Sequence, residues 1–468
     1  MRYTTILQKF LRNPTKYCKL ILTSKKLMTT QYEQLANNNT TLISLAFLNI
    51  DIQLRDIIYI AEILETNTAL THFNLSGCNI GDEEAQYIAT KLLHENTRLV
   101  KLCIGNNRIS DTGAGAIAEA LSNNTTLLKL YLSANDKIGI EGVTALAEML
   151  KNNKTLATFD FGSNNIDLEN IRVLAEALKV NKTLSNLYLN NNQIKLEEVK
   201  ILADMLMVNR SLTELNVGSN KIGVEEVQIL VDMLRVNKTL KRLDLSSNII
   251  GFEEVTVIAD MLRNNTTLQS LDLSSNSLGI NEIKILADAI KVNAGLTEID
   301  LGCNNLGDEE AIEIAEILKN NTGLLELHLY VNNISYKGTI NLAEALKYNR
   351  TLIELNLSGN NIQSEGAEAL KEALTINTTL LELNFETNDI SEDLLKTIYE
   401  LIKRNRAESD TYRANSPFDQ SDSEGYFSPS SESDYEQYFD INFYSESYCL
   451  LVGDQNDSCQ GTSADLEL

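Results

Sequence analysis

The chain has 468 residues, 43% of them hydrophobic, with 40 Lys and Arg against 65 Asp and Glu and a formal net charge of −25. That much apolar material can bury a large core, while the negative balance argues against nucleic acid, whose phosphates are bound through Lys and Arg. Six cysteines without a CxxC pair or a Cys/His cluster, and no apolar run near the roughly 18 residues of a membrane helix, point to a soluble chain in a reducing, cytoplasmic compartment, with no disulfide framework, metal site, cofactor or membrane partner expected.

Residues 1–32 carry seven basic and no acidic side chains. Arg2, Lys9, Arg12, Lys16 and Lys19 interleave with Ile6, Phe10 and Leu11, a pattern shared by presequences and membrane-surface helices. Pro14 would break such a helix, and a stacked array needs a polar cover over its first unit, so residues 1–41 are expected to form a basic cap. Leu20, Leu22 and Leu27 stand at the offsets of a degenerate first repeat.

From Leu42 onward the chain repeats. A leading leucine returns at Leu70, Leu99, Leu127, Leu156 and so on to Leu380, at spacings of 28 with two of 29, giving thirteen units. In residues 240–267, Leu243 and Leu245 alternate as a strand requires, whereas Val255, Ile258, Ala259 and Leu262 form one helical stripe. An Asn such as Asn237 or Asn265 closes each helix and is expected to adopt the left-handed C-terminal conformation. Such a unit cannot bury its apolar face alone, so units must stack. Strands stack about 4.8 Å apart and helices about 8–10 Å apart, so the array should curve with its strands inside.

The pattern LxxLxLxxNxI/L, then GxEE, an Ala-rich helix and NxTL, as in residues 352–379, resembles the ribonuclease-inhibitor-like subclass of leucine-rich repeats. The resemblance implies an α/β fold over residues 42–406: a right-handed solenoid horseshoe of about 13 strand–helix repeats with a parallel sheet on the concave face. It implies little about activity, because such arrays serve many functions.

Two Asn columns invite misreading. The column Asn107, Asn135, Asn164 through Asn388 is expected to satisfy backbone groups where the chain leaves each strand, with Cys78 and Ile50 in its first two slots. Asn153, Asn181, Asn209, Asn237 and Asn265 head NxT/S triplets, but their recurrence at every helix end favours a structural role over glycan attachment. Cys103 and Cys303 are read as ordinary thiols.

Residues between the inward leucines face out of the sheet, and a partner should bind there. Lys101, Lys129 and Tyr131 lie near the start, then Tyr188 and Arg242. Glu298, Asp300, Glu326, His328, Tyr330, Glu354 and Glu382 lie toward the end. Like charges stacked at strand pitch repel, so the Glu column is expected to seek a protein partner with a basic surface. Asp136, an extra residue after Asn135, should bulge the loop beside Lys129 and Tyr131.

Residues 407–468 hold fourteen acids, one Arg and twelve serines and are expected to be a disordered acidic Ser/Tyr-rich tail. Ser416, Ser428 and Tyr435 are candidate phosphorylation sites, and the tail is a candidate to fold back on the Lys101/Lys129 patch. No phosphate-binding loop, activated nucleophile or metal cluster is visible, so the expected function is that of a non-enzymatic, monomeric protein-interaction module. Two alternatives are a GTPase-activating protein resembling Ran GTPase-activating protein, with Arg108 on an early loop, and a bacterial effector exported into a host cell.

Overall fold

The computed structural model describes residues 19–22, 43–66, 69–94 and 98–415. These divide into two units, the first reaching Met261 and including Thr267–Leu271, the second made of Leu262–Thr266 and the residues from Asp272 on.

In the first unit short strands pair in parallel, each with the next in sequence. Ser44–Phe47, His72–Asn74, Lys101–Cys103, Lys129–Tyr131, Thr158–Asp160, Asn186–Tyr188, Glu214–Asn216 and Arg242–Asp244 occupy equivalent positions of successive repeats, with Lys101 opposite Lys129 and Glu214 opposite Arg242. The strand Lys19–Leu22 pairs with Ser44–Phe47 at the position of the degenerate repeat. In the second unit Glu298–Asp300, Glu326–His328, Glu354–Asn356 and Glu382–Asn384 pair in the same way. A helix follows each strand from Ser44–Phe47 on, so each unit is a strand–helix solenoid.

The core follows the expected periodicities. Leu102, Leu130, Leu215, Leu327 and Leu355 at strand centres are buried, as are Val255, Ile258, Ala259 and Leu262 on their helix. Each of the Leu, Ile and Val side chains contributes on the order of 1.5–3 kcal/mol. Helix starts explain the GxEE motif: Glu226 Oε2 accepts the Gly223 N–H at 3.1 Å, and Glu310 accepts that of Gly307 at 2.8 Å. In the helix Tyr336–Leu346, which lacks that Glu, the preceding repeat substitutes. Asp308 Oδ1 accepts from the N–H groups of Ser335 and Gly338 at 2.9 Å each, and a Cβ at Gly338 would lie 2.7 Å from that oxygen.

The two 29-residue repeats absorb their extra residue differently. In one, the helix Asp82–Ile88 continues as a π-helix, Ala89–His94, whose turn takes up one residue more than an α-helical turn. In the other, exposed Asp136 extends the loop after Asn135, and Ile138 N–H closes it on Asn135 O at 3.0 Å.

The left-handed Asn cap is not what closes the helices. Asn209 and Asn237 have φ −62° and −65° with ψ 139° and 133°, extended backbone. Asn237 Oδ1 instead accepts the N–H groups of Thr239 and Leu240 at 2.8 Å each, while its Nδ2 donates to Leu206 O of the preceding repeat at 2.7 Å. The carboxamide thereby satisfies three backbone groups that the turn leaves without ladder partners. Left-handed conformation occurs elsewhere, at the residue before each strand-end Asn: Ser219, Ser275, Val331 and Gly359 all have φ between 49° and 64°.

Candidate functional site

Three-residue strands place the middle side chain in the core and the two flanking ones on the open face. On the first unit's face, Lys101 and Lys129 stand side by side in register, with Lys101 Nζ 5.1 Å from the Tyr131 ring centroid. Asn186 Nδ2 donates to Glu214 Oε2 at 2.5 Å, and the Tyr188 hydroxyl bonds Glu214 and Asn186. Burial, then the Glu214 charge, pushes the Tyr188 pKa upward. Glu214 stands opposite exposed Arg242. Asp160 is buried and Asp244 half-buried here, and desolvation raises both carboxyls although Gly162 and Ser246 donate to them. This face mixes both signs and binds much of its polarity internally.

The second unit's face is different. Glu298, Glu326, Glu354 and Glu382 stack in register on four consecutive strands, all partly buried, at a pitch of about 4.8 Å. Asp300 and His328 form the neighbouring row. His328 Nδ1 lies 3.8 Å from Glu354 Oε1, and Arg406 Nη2 lies 3.9 Å from Glu382 Oε2. Burial drives the Glu354 carboxyl up to about 7; His328 opposes this, and the charges of Glu382, Glu326 and Glu298 add to it. Beyond this row the Tyr330 ring lies against Gly302, where a Cβ would meet it at 2.5 Å, and its hydroxyl bonds Ser274 and Asp300. Burial, then Asp300 and Asp272, push that phenol well above its ordinary value.

One carboxylate oxygen each from Glu298 and Glu326 and a His328 ring nitrogen lie within 4.8 Å of one another. Two carboxylates and an imidazole are a donor set that a divalent cation could use.

The residues expected at the far end of the sheet, Glu298, Asp300, Glu326, His328, Tyr330, Glu354 and Glu382, thus share one surface of the second unit. Lys101, Lys129, Tyr131, Tyr188 and Arg242 belong to the first unit's face. Ser416, Ser428 and Tyr435 lie outside the described residues. Two participants, Glu214 and Arg406, are not among the site residues expected from the sequence. Glu214 has an isolated charge rather than a column, and Arg406 reaches Glu382 from the last helix, where repeat periodicity has ended. Arg108 is exposed on the loop before the helix Asp111–Ser122.

The Asn columns are structural. Asn107 Nδ2 donates to Leu75 O and Ile104 O at 3.0 and 2.9 Å while its Oδ1 accepts the Ile80 N–H, and the arrangement recurs along the column. Cys78 occupies an equivalent slot with its thiol 3.0 Å from Phe47 O, and burial pushes its pKa up to about 11. Asn153, Asn181, Asn209, Asn237 and Asn265 are all buried, which leaves no amide nitrogen open to a glycan. Cys78 and Cys103 are buried free thiols, whereas Cys303, expected to be one too, is disulfide-bonded. No helix among the described residues is long and apolar enough to cross a membrane.

The family described as Leucine Rich repeat matches residues 66–89, 95–118, 123–147, 208–225, 236–252, 264–279, 292–315 and 348–371. Comparison with curated proteins finds no match. Among solved structures, a chain of the Rad7 and Elc1 complex in yeast is similar at 20% identity and TM-score 0.48, over 70% of this chain and 82% of that one. The leucine-rich repeat-containing protein LegL7 from Legionella pneumophila is similar at 16% identity and TM-score 0.46, over 64% of this chain and 97% of that one. An internalin from Listeria monocytogenes is similar at 22% identity and TM-score 0.38, over 78% and 86%.

Proposed function

We propose, from the premise that the chain is a leucine-rich repeat protein and hence built as a protein-interaction module, that the second unit's open sheet face binds a protein through a basic segment. The observation that carries this reading is the column Glu298, Glu326, Glu354 and Glu382, stacked in register and backed by Asp300. Folding alone gains nothing from lining up four carboxylates. The elevated Glu354 pKa records the cost, and a proton near neutral pH relieves part of it. An Arg- or Lys-bearing segment laid along the column would relieve it further, and a guanidinium can bridge carboxylates on adjacent strands. Tyr330 and His328 supply flat, held surfaces at the edge, of the kind that anchors interfaces. Nothing in this role calls for catalysis.

The test is binding of a short synthetic Arg-rich peptide to the intact protein and to Glu298/Glu326/Glu354→Lys. As a control, Glu253/Glu365/Glu372→Lys makes the same change in net charge on exposed helix positions. Binding lost with the sheet variant and kept by the control supports the reading; equal loss in both would reduce it to nonspecific attraction by an acidic protein.

A further inference from the structure

Three donors meet where the glutamate column of the second unit passes a histidine. Strand side chains alternate, so Glu326 and His328, two residues apart, leave the strand Glu326–His328 on the same side. The parallel register puts Glu298 directly opposite Glu326. One carboxylate oxygen of each glutamate and one ring nitrogen of His328 consequently lie within 4.8 Å of one another. No compact sequence motif announces this triad, because a full repeat separates Glu298 from Glu326. All three side chains start from paired strands, which hold ligands more closely than loops do.

Stacked carboxylates alone would be an acidic surface and nothing more. The imidazole changes the chemistry. Its place in the register is taken by Asp300, Asn356 and Asn384 on the strands around it. A neutral ring nitrogen favours ions such as Zn²⁺, whereas Mg²⁺ and Ca²⁺ take oxygen ligands. The ring is also supported from behind. Glu354 Oε1, on the next strand, lies 3.8 Å from His328 Nδ1, and the His328 and Glu354 side chains are exposed to only 16 and 19%. A small rotation closes that gap to a hydrogen bond in which Nδ1–H donates to the carboxylate and Nε2 keeps its lone pair. Carboxylates in this position orient metal-bound imidazoles. Asp300, by contrast, is already engaged, since its Oδ1 accepts the Gly302 N–H at 2.8 Å and it bonds the Tyr330 hydroxyl.

We propose that Glu298, Glu326 and His328 bind a single Zn²⁺ ion, with Glu354 positioning the imidazole and water completing the coordination on the open side of the sheet. Bonds of about 2.0–2.2 Å set tetrahedral ligands about 3.3 Å apart, so the donors need to draw together by about 1.5 Å at most. Side-chain torsions of two glutamates and one ring supply that movement. The charges fit as well: two carboxylates and a neutral imidazole balance a dication, and the mutual repulsion of opposed Glu298 and Glu326 becomes an attraction for it. The proposal stands on this geometry and holds whether or not a basic segment binds the column.

The test is calorimetric titration of the intact protein with ZnCl₂ alone, with no peptide present. It compares wild type, His328→Asn, Glu298/Glu326→Gln and the exposed-helix control Glu253/Glu365→Gln. Asn is the residue at this slot in the next two repeats, so His328→Asn is expected to fold, which equal urea midpoints without metal will check. Both site variants should weaken Zn²⁺ binding by more than the roughly 10–100-fold typical of losing a supporting partner, and the control should leave it unchanged. Glu354→Ala should weaken it roughly tenfold, and Glu354→Gln less, because its amide oxygen still accepts from Nδ1–H. MgCl₂ should bind wild type at least about tenfold more weakly than ZnCl₂. The chain has three histidines, so NMR of the ring C–H groups is a second readout: Zn²⁺ should shift the signal that is missing from His328→Asn. Zn²⁺ uptake no tighter in wild type than in His328→Asn, or an unshifted His328 ring, would overturn the proposal. So would uptake lost with Glu298/Glu326→Gln yet kept by His328→Asn, the behaviour of an acidic surface without a site.

Discussion

Glu354 and His328 face each other across adjacent parallel strands with 3.8 Å between Oε1 and Nδ1, inside a column of three further glutamates. The imidazole does not compensate for burial and like charge, and the Glu354 carboxyl stays near 7. Because the folded-state pKa lies above the ordinary Glu value, the folded chain holds this proton more tightly than the unfolded chain. Its contribution to stability is complete below about pH 4.5 and is lost as pH rises through 7. Glu354→Gln should therefore gain stability over wild type with rising pH, on the order of 3 kcal/mol by pH 8 and little at pH 4. Urea unfolding at both pH values checks this; a pH-independent difference would count against it.

At the helix ends, Asn237 offers a clean distinction. A left-handed cap would accept Gly with little loss. A carboxamide serving Thr239 N–H, Leu240 N–H and Leu206 O would not, since its removal strands buried backbone groups at roughly 1–3 kcal/mol. Asn237→Gly is expected to lower the urea midpoint at unchanged slope, by as much as Asn237→Ala does.

Val331 carries a β-branched side chain at φ 49°, while Gly359 fills the equivalent slot one repeat later at φ 64°. L-residues other than Gly and Asn adopt this region at a cost of about 1 kcal/mol or more. Val331→Gly or Val331→Asn should raise Tm; an unchanged or lower Tm would show that the valine's contacts outweigh its strain.

Asp308 caps the start of the next repeat's helix. Burial would raise its carboxyl, but the Ser335 hydroxyl and the N–H groups of Ser335 and Gly338 outweigh that and hold it below the ordinary range. Asp308→Ala should cost about 1–2 kcal/mol, and Asp308→Asn less, since its amide oxygen can still accept one of these bonds.

What could be read in advance follows from the physics of repetition. Leu243, Leu327 and Leu355 were legible because a period of two fixes the face of a strand residue, and the Glu column because register follows from a constant repeat length. The helix-end Asn was legible as a position and misread as a conformation. Its partner, Leu206 O, is a backbone group 31 residues earlier, and backbone acceptors leave no trace in side-chain spacing. The two 29-residue repeats illustrate the same limit. The extra Asp136 is visible as a polar residue in a loop, whereas the π-helix Ala89–His94 hides its insertion inside a helix. Arg406 and Glu382 come together where the repeat has ended, so no periodicity could pair them.

The most direct measurement is the NMR titration of the Glu354 carboxyl in the intact protein, alone and saturated with the Arg-rich peptide. If the column is a cation-binding surface, its midpoint falls from about 7 toward the ordinary carboxylate range when the peptide is bound. The same midpoint with and without a bound peptide would contradict that claim, because the peptide would then be resting somewhere other than on the glutamates.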